Sequence, residues 1–409
     1  MEIVFVGSGV STAIPVMGHF GNCACRDAIE TPHSKNRRNN VSLLISKKKP
    51  LSAIEVITEK HQRLQPKLSS GANGSDEEQK DADRHAQRRA LTLGDANVSD
   101  SWNILIDCGK TFRTAYFEQL IQRKVRSIDA LLITHEHADA IQGLDDLRDL
   151  QSFLEEGQHW VCQYYVPTFL SPFTMKTLTR QVEYIVRNSR VMGEAPSSRS
   201  AFRTLQNAVE TKLPAASRVI ERRSTALDLW TVPDDHPQQF HVPYLCDGNE
   251  GIVMYSVPVE HGAGYMSLGF VFGSGVSFRN SKCNNQTLEN GGNPKRGTCI
   301  AYISDVSHVP ANALAFLQNL NKIDILVVDL LLGGGEKHFS HFCLDDVWEL
   351  VRILRPRKVY GTGMYCTLEH NSTNASLASQ LRLEHESGSC LGVESVELAF
   401  DGLTIPVVV

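Results

Sequence analysis

The feature that most constrains this chain is a repeated event: a short apolar run ends, and a histidine or aspartate follows. The run "IDALLIT" (128–134) leads directly into His135 and His137, with Asp139 two residues further on. "YSVPVE" leads into His261, "CIAYIS" into Asp305, and "IDILVVDLL" is followed by His338 and His341. Apolar runs of this length, bounded by Gly, Pro and polar clusters, read as buried strands. Groups placed at strand ends of an open sheet converge in one crevice. Alternate residues leaving a strand can point to the same side, so His135 and His137 can reach one ion. Neutral imidazoles and carboxylates suit zinc and related divalent ions, and a catalytic site keeps one position open for water. The recurrence predicts a metal site.

Other apolar runs place strands at 2–6, 41–46, 102–108 and 163–167 and in "IVMYSVPVEHG", "SLGFVFG" and "KVYGTG". Apolar spacing predicts helices over 112–124, through "ADAIQGLDDLRDLQSFL" (138–154), "PFTMKTLTRQVEYIV", 309–320 and "LDDVWELVRILRP". The final "SVELAFDGLTIPVVV" reads as a hairpin around Asp401-Gly402. Early antiparallel strands followed by mixed strands and helices give an α/β class, an αββα sandwich of two mixed β-sheets flanked by helices. One domain over 1–409 is expected, with mobile polar insertions at about 47–101, 191–250 and 277–297.

Composition mainly excludes. Hydrophobic content of 42% and charge of 21% are ordinary for a globular protein. A net charge of −5 gives no broad basic field for nucleic acid. The start "MEIVFVGSGV" lacks a signal peptide's basic and apolar regions, and no run approaches the roughly 18 apolar residues of a membrane span. The expectation is a cytoplasmic protein with no membrane partner. Ten cysteines are scattered along the chain, and only Cys23 and Cys25 lie close together. Most therefore read as reduced core residues.

The pieces "GSGVSTAIP", "KNRRNNVSLLI", "IDCGKTFR", "THEHADAIQGLDDLR", "VPVEHG", "SLGFVFG", "YISDVS", "SHFCLDD" and "VYGTGM" form a specific combination. It resembles the metallo-β-lactamase-fold hydrolases. Within them it is most similar to the cyclic phosphodiesterases of the phosphonate pathway, in a tRNase Z-like branch, and to a eukaryotic group carrying "HEHADA". The resemblance implies that His135, His137 and His261 hold a first metal and that Asp305 bridges two metals in dinuclear relatives. Asp139 would bind the second metal beside two further histidines, but those positions are Ala140 and Gly363 here. The implied centre is a one-metal or asymmetric site for Zn²⁺, with Mn²⁺ an option on the remaining oxygen ligands. Asp139 is then free to orient water or take its proton. His341 matches the leaving-group acid, while His338 reads as a bystander and His308 as a loop residue.

The same resemblance implies a second, structural Zn²⁺. Cys23 and Cys25 match two of its cysteines, Ala28 replaces a third, and Cys366 stands where a histidine would be. A fourth ligand would come from His19, His33 or His370. For Gly7-Ser8-Gly9, a phosphate-approaching turn and tight sheet turning stand level. For Arg148, a substrate phosphate and a salt bridge to Asp145 or Asp146 do so too.

The function expected is metal-dependent hydrolysis of a small or cyclic nucleotide-like phosphodiester by metal-activated water. A tRNA 3′-end endonuclease shares "RNNVS", but the chain has no Gly/Pro-rich basic arm and lacks both second-site histidines, so RNA is not favoured. A non-catalytic metal-binding protein is the other alternative.

Overall fold

The computed structural model describes residues 1–21, 23–49, 99–156, 159–198, 219–220, 223–242, 254–279 and 297–408. Half of the second and all but the ends of the first and third polar segments lie outside these residues. The strands begin with β1 (Glu2–Gly7), β2 (Ser42–Lys48), β3 (Ser101–Ile106) and β4 (Ala130–Leu132). They continue through β5 (Phe153–Glu156), β6 (His159–Cys162), β7 (Val166–Leu170), β8 (Arg190–Glu194), β9 (Val219–Ile220) and β10 (Leu227–Thr231). The second half supplies β11 (Gln238–Phe240), β12 (Met254–Glu260), β13 (Met266–Phe272) and β14 (Ile300–Ile303). The last four are β15 (Ile325–Asp329), β16 (Lys358–Thr362), β17 (Ser395–Leu398) and β18 (Thr404–Pro406).

Among the described residues these form an eight-stranded sheet, β18-β1-β2-β3-β4-β7-β10-β8, and a seven-stranded sheet, β11 to β17 in sequence order. A small sheet, β5-β6-β9, stands apart. Both large sheets are mixed. Strand alternation explains why the runs are apolar throughout. Ile3, Phe5, Leu43 and Ile45 of the first sheet meet Phe270, Phe272, Tyr302 and Val327 of the second in one buried layer. The intervening Val4, Val6, Leu44 and Leu105 turn outward against Phe112, Leu120, Leu147 and Leu178. On the far side, Val271, Ala301 and Leu326 pack under Leu317, Trp348, Val351 and Leu377. The central strands of both large sheets are covered on both faces, which is the αββα arrangement.

Four local expectations change. The run 138–154 is not one helix: a turn at Ala138–Ile141 and a 3₁₀ segment at Leu144–Leu150 are separated by Gly143, and Phe153 already begins β5. A Cβ on Gly143 would lie 2.3 Å from Gly109 O, so backbone contact, not apolar spacing, sets the path. The stretch 191–250 contributes strands β8, β10 and β11. The helix His370–Glu386 is additional. The C-terminal run is not a hairpin, because β17 pairs parallel with β16 while β18 pairs antiparallel with β1 in the other sheet. Asp401 accepts hydrogen bonds from the Ser8 amide and hydroxyl and the Asn39 amide, and Gly402 N–H donates to Phe5 O. Those contacts take the turn across to the first sheet.

Candidate metal centre

β4 and β12 deliver three histidines to one place. The Leu268 amide on β13 donates to Thr134 O, fastening the two sheets together just before His135. The ring centroids of His135, His137 and His261 lie 4.6, 5.0 and 5.3 Å apart, and one ligand atom from each falls within 4.8 Å of the others. Hydrogen bonds fix how two of the rings present themselves. His135 Nδ1 is 2.8 Å from Thr134 Oγ1, whose hydroxyl donates to the buried Asp107 carboxylate, and His261 Nδ1 is 2.7 Å from Ser340 O. Each ring therefore spends its Nδ1 on an orienting partner and leaves Nε2 for a ligand. His135 Nε2 is buried and has no hydrogen-bond partner. A buried orphan beside two further imidazoles is what a divalent ion would satisfy, so the residues fit a metal. Burial, reinforced by His261 and His137, lowers the His135 pKa to about 3, which keeps its imidazole neutral.

A second group adjoins the first. Asp305 follows β14 at φ +50°, and it comes together with His261 and His341 within 4.8 Å. Burial alone would raise Asp305, but His135, His261 and His341 outweigh it and hold the carboxyl below its ordinary range. Asp139, 3.9 Å from His135 Nε2, is pushed up to about 6 by burial and then by Asp305. His341 Nδ1 lies 2.7 Å from Asp329 Oδ2. Burial opposes charge on His341, yet Asp329 and Asp305 raise it to about 9, so the pair keeps a proton at neutral pH.

Asp329 is the residue that sequence reasoning missed. Closing the apolar run of β15, it reads as strand punctuation, and no local signal marks it. Tyr265 was missed as well. Its ring lies flat against His137, 5.1 Å away with 6° between planes, and burial and Glu136 raise its phenol.

The structure also accounts for Ala140 and Gly363. Ala140 is buried in the outer core with Ile141 and Leu144. Gly363 has φ +74°, and a Cβ there would meet Asp329 Oδ1 at 2.7 Å. The place where a second metal's imidazoles would enter is thus packed with apolar side chains on one side and a hydrogen-bonded carboxylate on the other.

Away from the cavity, His19, Cys23, Cys25 and Cys366 present ligand atoms within 4.8 Å of one another. Cys366 Sγ lies 3.4 Å from His19 Nδ1. Neither His33 nor His370 joins this group; His370 is buried against the Phe400 ring. Three thiols and one imidazole form the donor set of a closed tetrahedral zinc site. Of the smaller candidates, Arg148 pairs with Asp145 at 2.7 Å. Gly7 makes a tight sheet turn, since a Cβ there would lie 1.9 Å from Asn40 O. His308 exchanges backbone hydrogen bonds with Glu260 and stays a loop residue. Among the described residues no helix is long and apolar enough to cross a membrane.

Two facing mixed sheets with histidines and aspartates at their strand ends define a metallo-β-lactamase type of sandwich. The beta-lactamase superfamily domain matches residues 102–364, and the chain belongs to that family, whose members are mostly hydrolases. The crystal structure of a diphosphatase of the PhnP family is similar at 19% identity and TM-score 0.55, covering 99% of this chain and 97% of that one. The short form of human tRNase Z is similar at 14% identity and TM-score 0.46, covering 100% of both chains. An octanoyltransferase of Porphyromonas gingivalis is 42% identical over 69 residues, 17% of this chain, and the match spans 13% of that protein.

Proposed function

We propose that this protein is a metal-dependent phosphodiesterase of small or cyclic nucleotide-like phosphodiesters, working from one zinc ion held by His135, His137 and His261. The observation that carries this reading is the convergence of those imidazoles beside a His341–Asp329 pair that holds a proton. A divalent ion there would lower the pKa of a bound water to about 7 and polarise a phosphoryl oxygen. Asp139, with a pKa of about 6, is tuned to accept the proton of the attacking water. His341, its Nδ1 engaged by Asp329, donates from Nε2 to the leaving oxygen. Asp305 completes the charge balance beside His261 and His341, and accepts Mn²⁺ as an alternative ion better than an all-imidazole site would. The similar structure described as a diphosphatase fits hydrolysis at phosphorus. RNA is disfavoured as substrate by the net charge of −5.

The cysteine group takes a second, structural zinc in this reading. Such an ion would tie the helix Ala24–Glu30 to Cys366, three residues beyond Gly363, where the Ala24 amide donates to Cys366 O. The deciding experiment assays bis-p-nitrophenyl phosphate and nucleoside 2′,3′-cyclic phosphates with Zn²⁺ or Mn²⁺, for wild type and His135→Ala. Turnover that His135→Ala abolishes is expected. No turnover with either metal, or equal turnover by both proteins, overturns the reading.

A further inference from the structure

The loop between β15 and the helix Leu344–Leu354 carries His338 and His341, and between them Phe339. Phe339 is 81% exposed, although Ser340 and Phe342 that follow it are buried. The backbone is thus anchored just beyond a phenyl group that is held out in water. His338 packs against it, with centroids 4.6 Å apart and 32° between planes, which restricts the ring's orientation. Phe339 lines the same cavity, about 540 Å³, as His137, Asp139, Tyr265 and His341. Tyr265 is itself met edge-on by Phe173, at 5.9 Å and 89°, and Phe173 is 51% exposed. The cavity therefore holds carboxylate and imidazole groups beside Tyr265, with the exposed Phe339 ring on its open side.

A ligand that fits must be anionic at one end and flat and apolar at the other, and the volume suits a small molecule. A nucleotide has that form, and a base offers a π-face to an aromatic side chain whatever its sequence identity. We propose that Phe339 is the stacking surface for the nucleobase of the substrate, so that the phosphodiester cleaved here belongs to a nucleotide and not to a base-free sugar. The placement of the phosphate rests on the phosphodiesterase reading above; the stacking surface is a separate observation.

The test compares kcat/KM for adenosine 2′,3′-cyclic phosphate with that for methyl riboside 2′,3′-cyclic phosphate. Wild type, Phe339→Ala and Phe339→Trp are measured with zinc. Phe339→Ala should lower the ratio about tenfold, mainly through KM for the nucleotide, while Phe339→Trp keeps it within about threefold. A ratio that Phe339→Ala leaves where it was, or a loss equal for both substrates, overturns the proposal. Calorimetric binding of adenosine 5′-monophosphate against ribose 5-phosphate separates the two readings. If wild type hydrolyses neither cyclic phosphate, the phosphodiesterase reading fails, and calorimetry decides the stacking surface alone. Tighter binding of the nucleotide, lost in Phe339→Ala, supports it; equal affinities refute it. With its ring exposed, Phe339→Ala should melt within a few degrees of wild type.

Discussion

A side chain on Gly363 would begin 2.7 Å from Asp329 Oδ1. The other oxygen of that carboxylate takes the Val306 amide at 3.0 Å and His341 Nδ1 at 2.7 Å, so Asp329 cannot swing aside without losing both. Gly363 also sits at φ +74°, where a side chain costs about 1–3 kcal/mol. Installing the two imidazoles of a dinuclear site, Ala140→His with Gly363→His, should therefore lower the melting temperature by several degrees and add no metal. Elemental analysis and a thermal melt check this. A variant that gains one metal per chain at unchanged melting temperature would show that the second position is merely vacant.

Asp329→Asn keeps the shape of the contact to His341 but removes the charge that raises it. The raised pKa of about 9 means that His341 is protonated below that pH and loses its proton as pH rises through it. With a neutral amide the loss moves to lower pH, so the alkaline fall in kcat should shift acidward. The rate at neutral pH should drop by roughly 10²-fold, the usual worth of one positioned acid. Asp329 acts through His341, so metal content should stay at the wild-type value. A lower rate with an unmoved alkaline limb would leave Asp329 a purely structural role.

Two metals per chain are expected in the wild type, and they should be lost separately. His135→Ala should remove one and abolish turnover. Cys23→Ser should remove the other and lower stability, since a structural zinc contributes folding energy directly. Elemental analysis of the three proteins reads this. One metal in the wild type, untouched by Cys23→Ser, would refute the cysteine site.

The histidines were legible because each follows an apolar run in the chain, and the packing of strand ends does the rest. Asp329 was not, because its partner is twelve residues away through a loop whose path the local pattern does not encode. The C-terminal hairpin failed for a related reason. Asp401-Gly402 has turn chemistry, but Ser8 and Asn39, 393 and 362 residues away in sequence, choose which sheet the next strand joins. The helix His370–Glu386 was missed because its sequence is mostly Ser, Asn, Gln and charge, and only a few positions such as Leu377 and Leu381 are buried against the second sheet. In each case the deciding contact is non-local.

That helix also yields a test of stability. Glu369 caps it, accepting hydrogen bonds from the Asn371 and Ser372 amides, and it accepts a third from Asn36 Nδ2 in the N-terminal segment. Burial would raise its pKa, but the Asn36 amide and the two backbone donors pull harder and lower it to about 2. A depressed carboxyl stabilises the fold above its ordinary pKa of about 4.5 and loses that contribution as pH falls through 2. Glu369→Ala should therefore cost about 1 kcal/mol near neutral pH, the worth of a cap, with the ionic part reduced because the side chain is partly in solvent. The gap between wild type and variant, read from denaturant melts, should hold steady above pH 5 and narrow from pH 4.5 downward. A gap that stays constant into acid would mean that the carboxylate's charge plays no part, leaving packing alone to account for the effect.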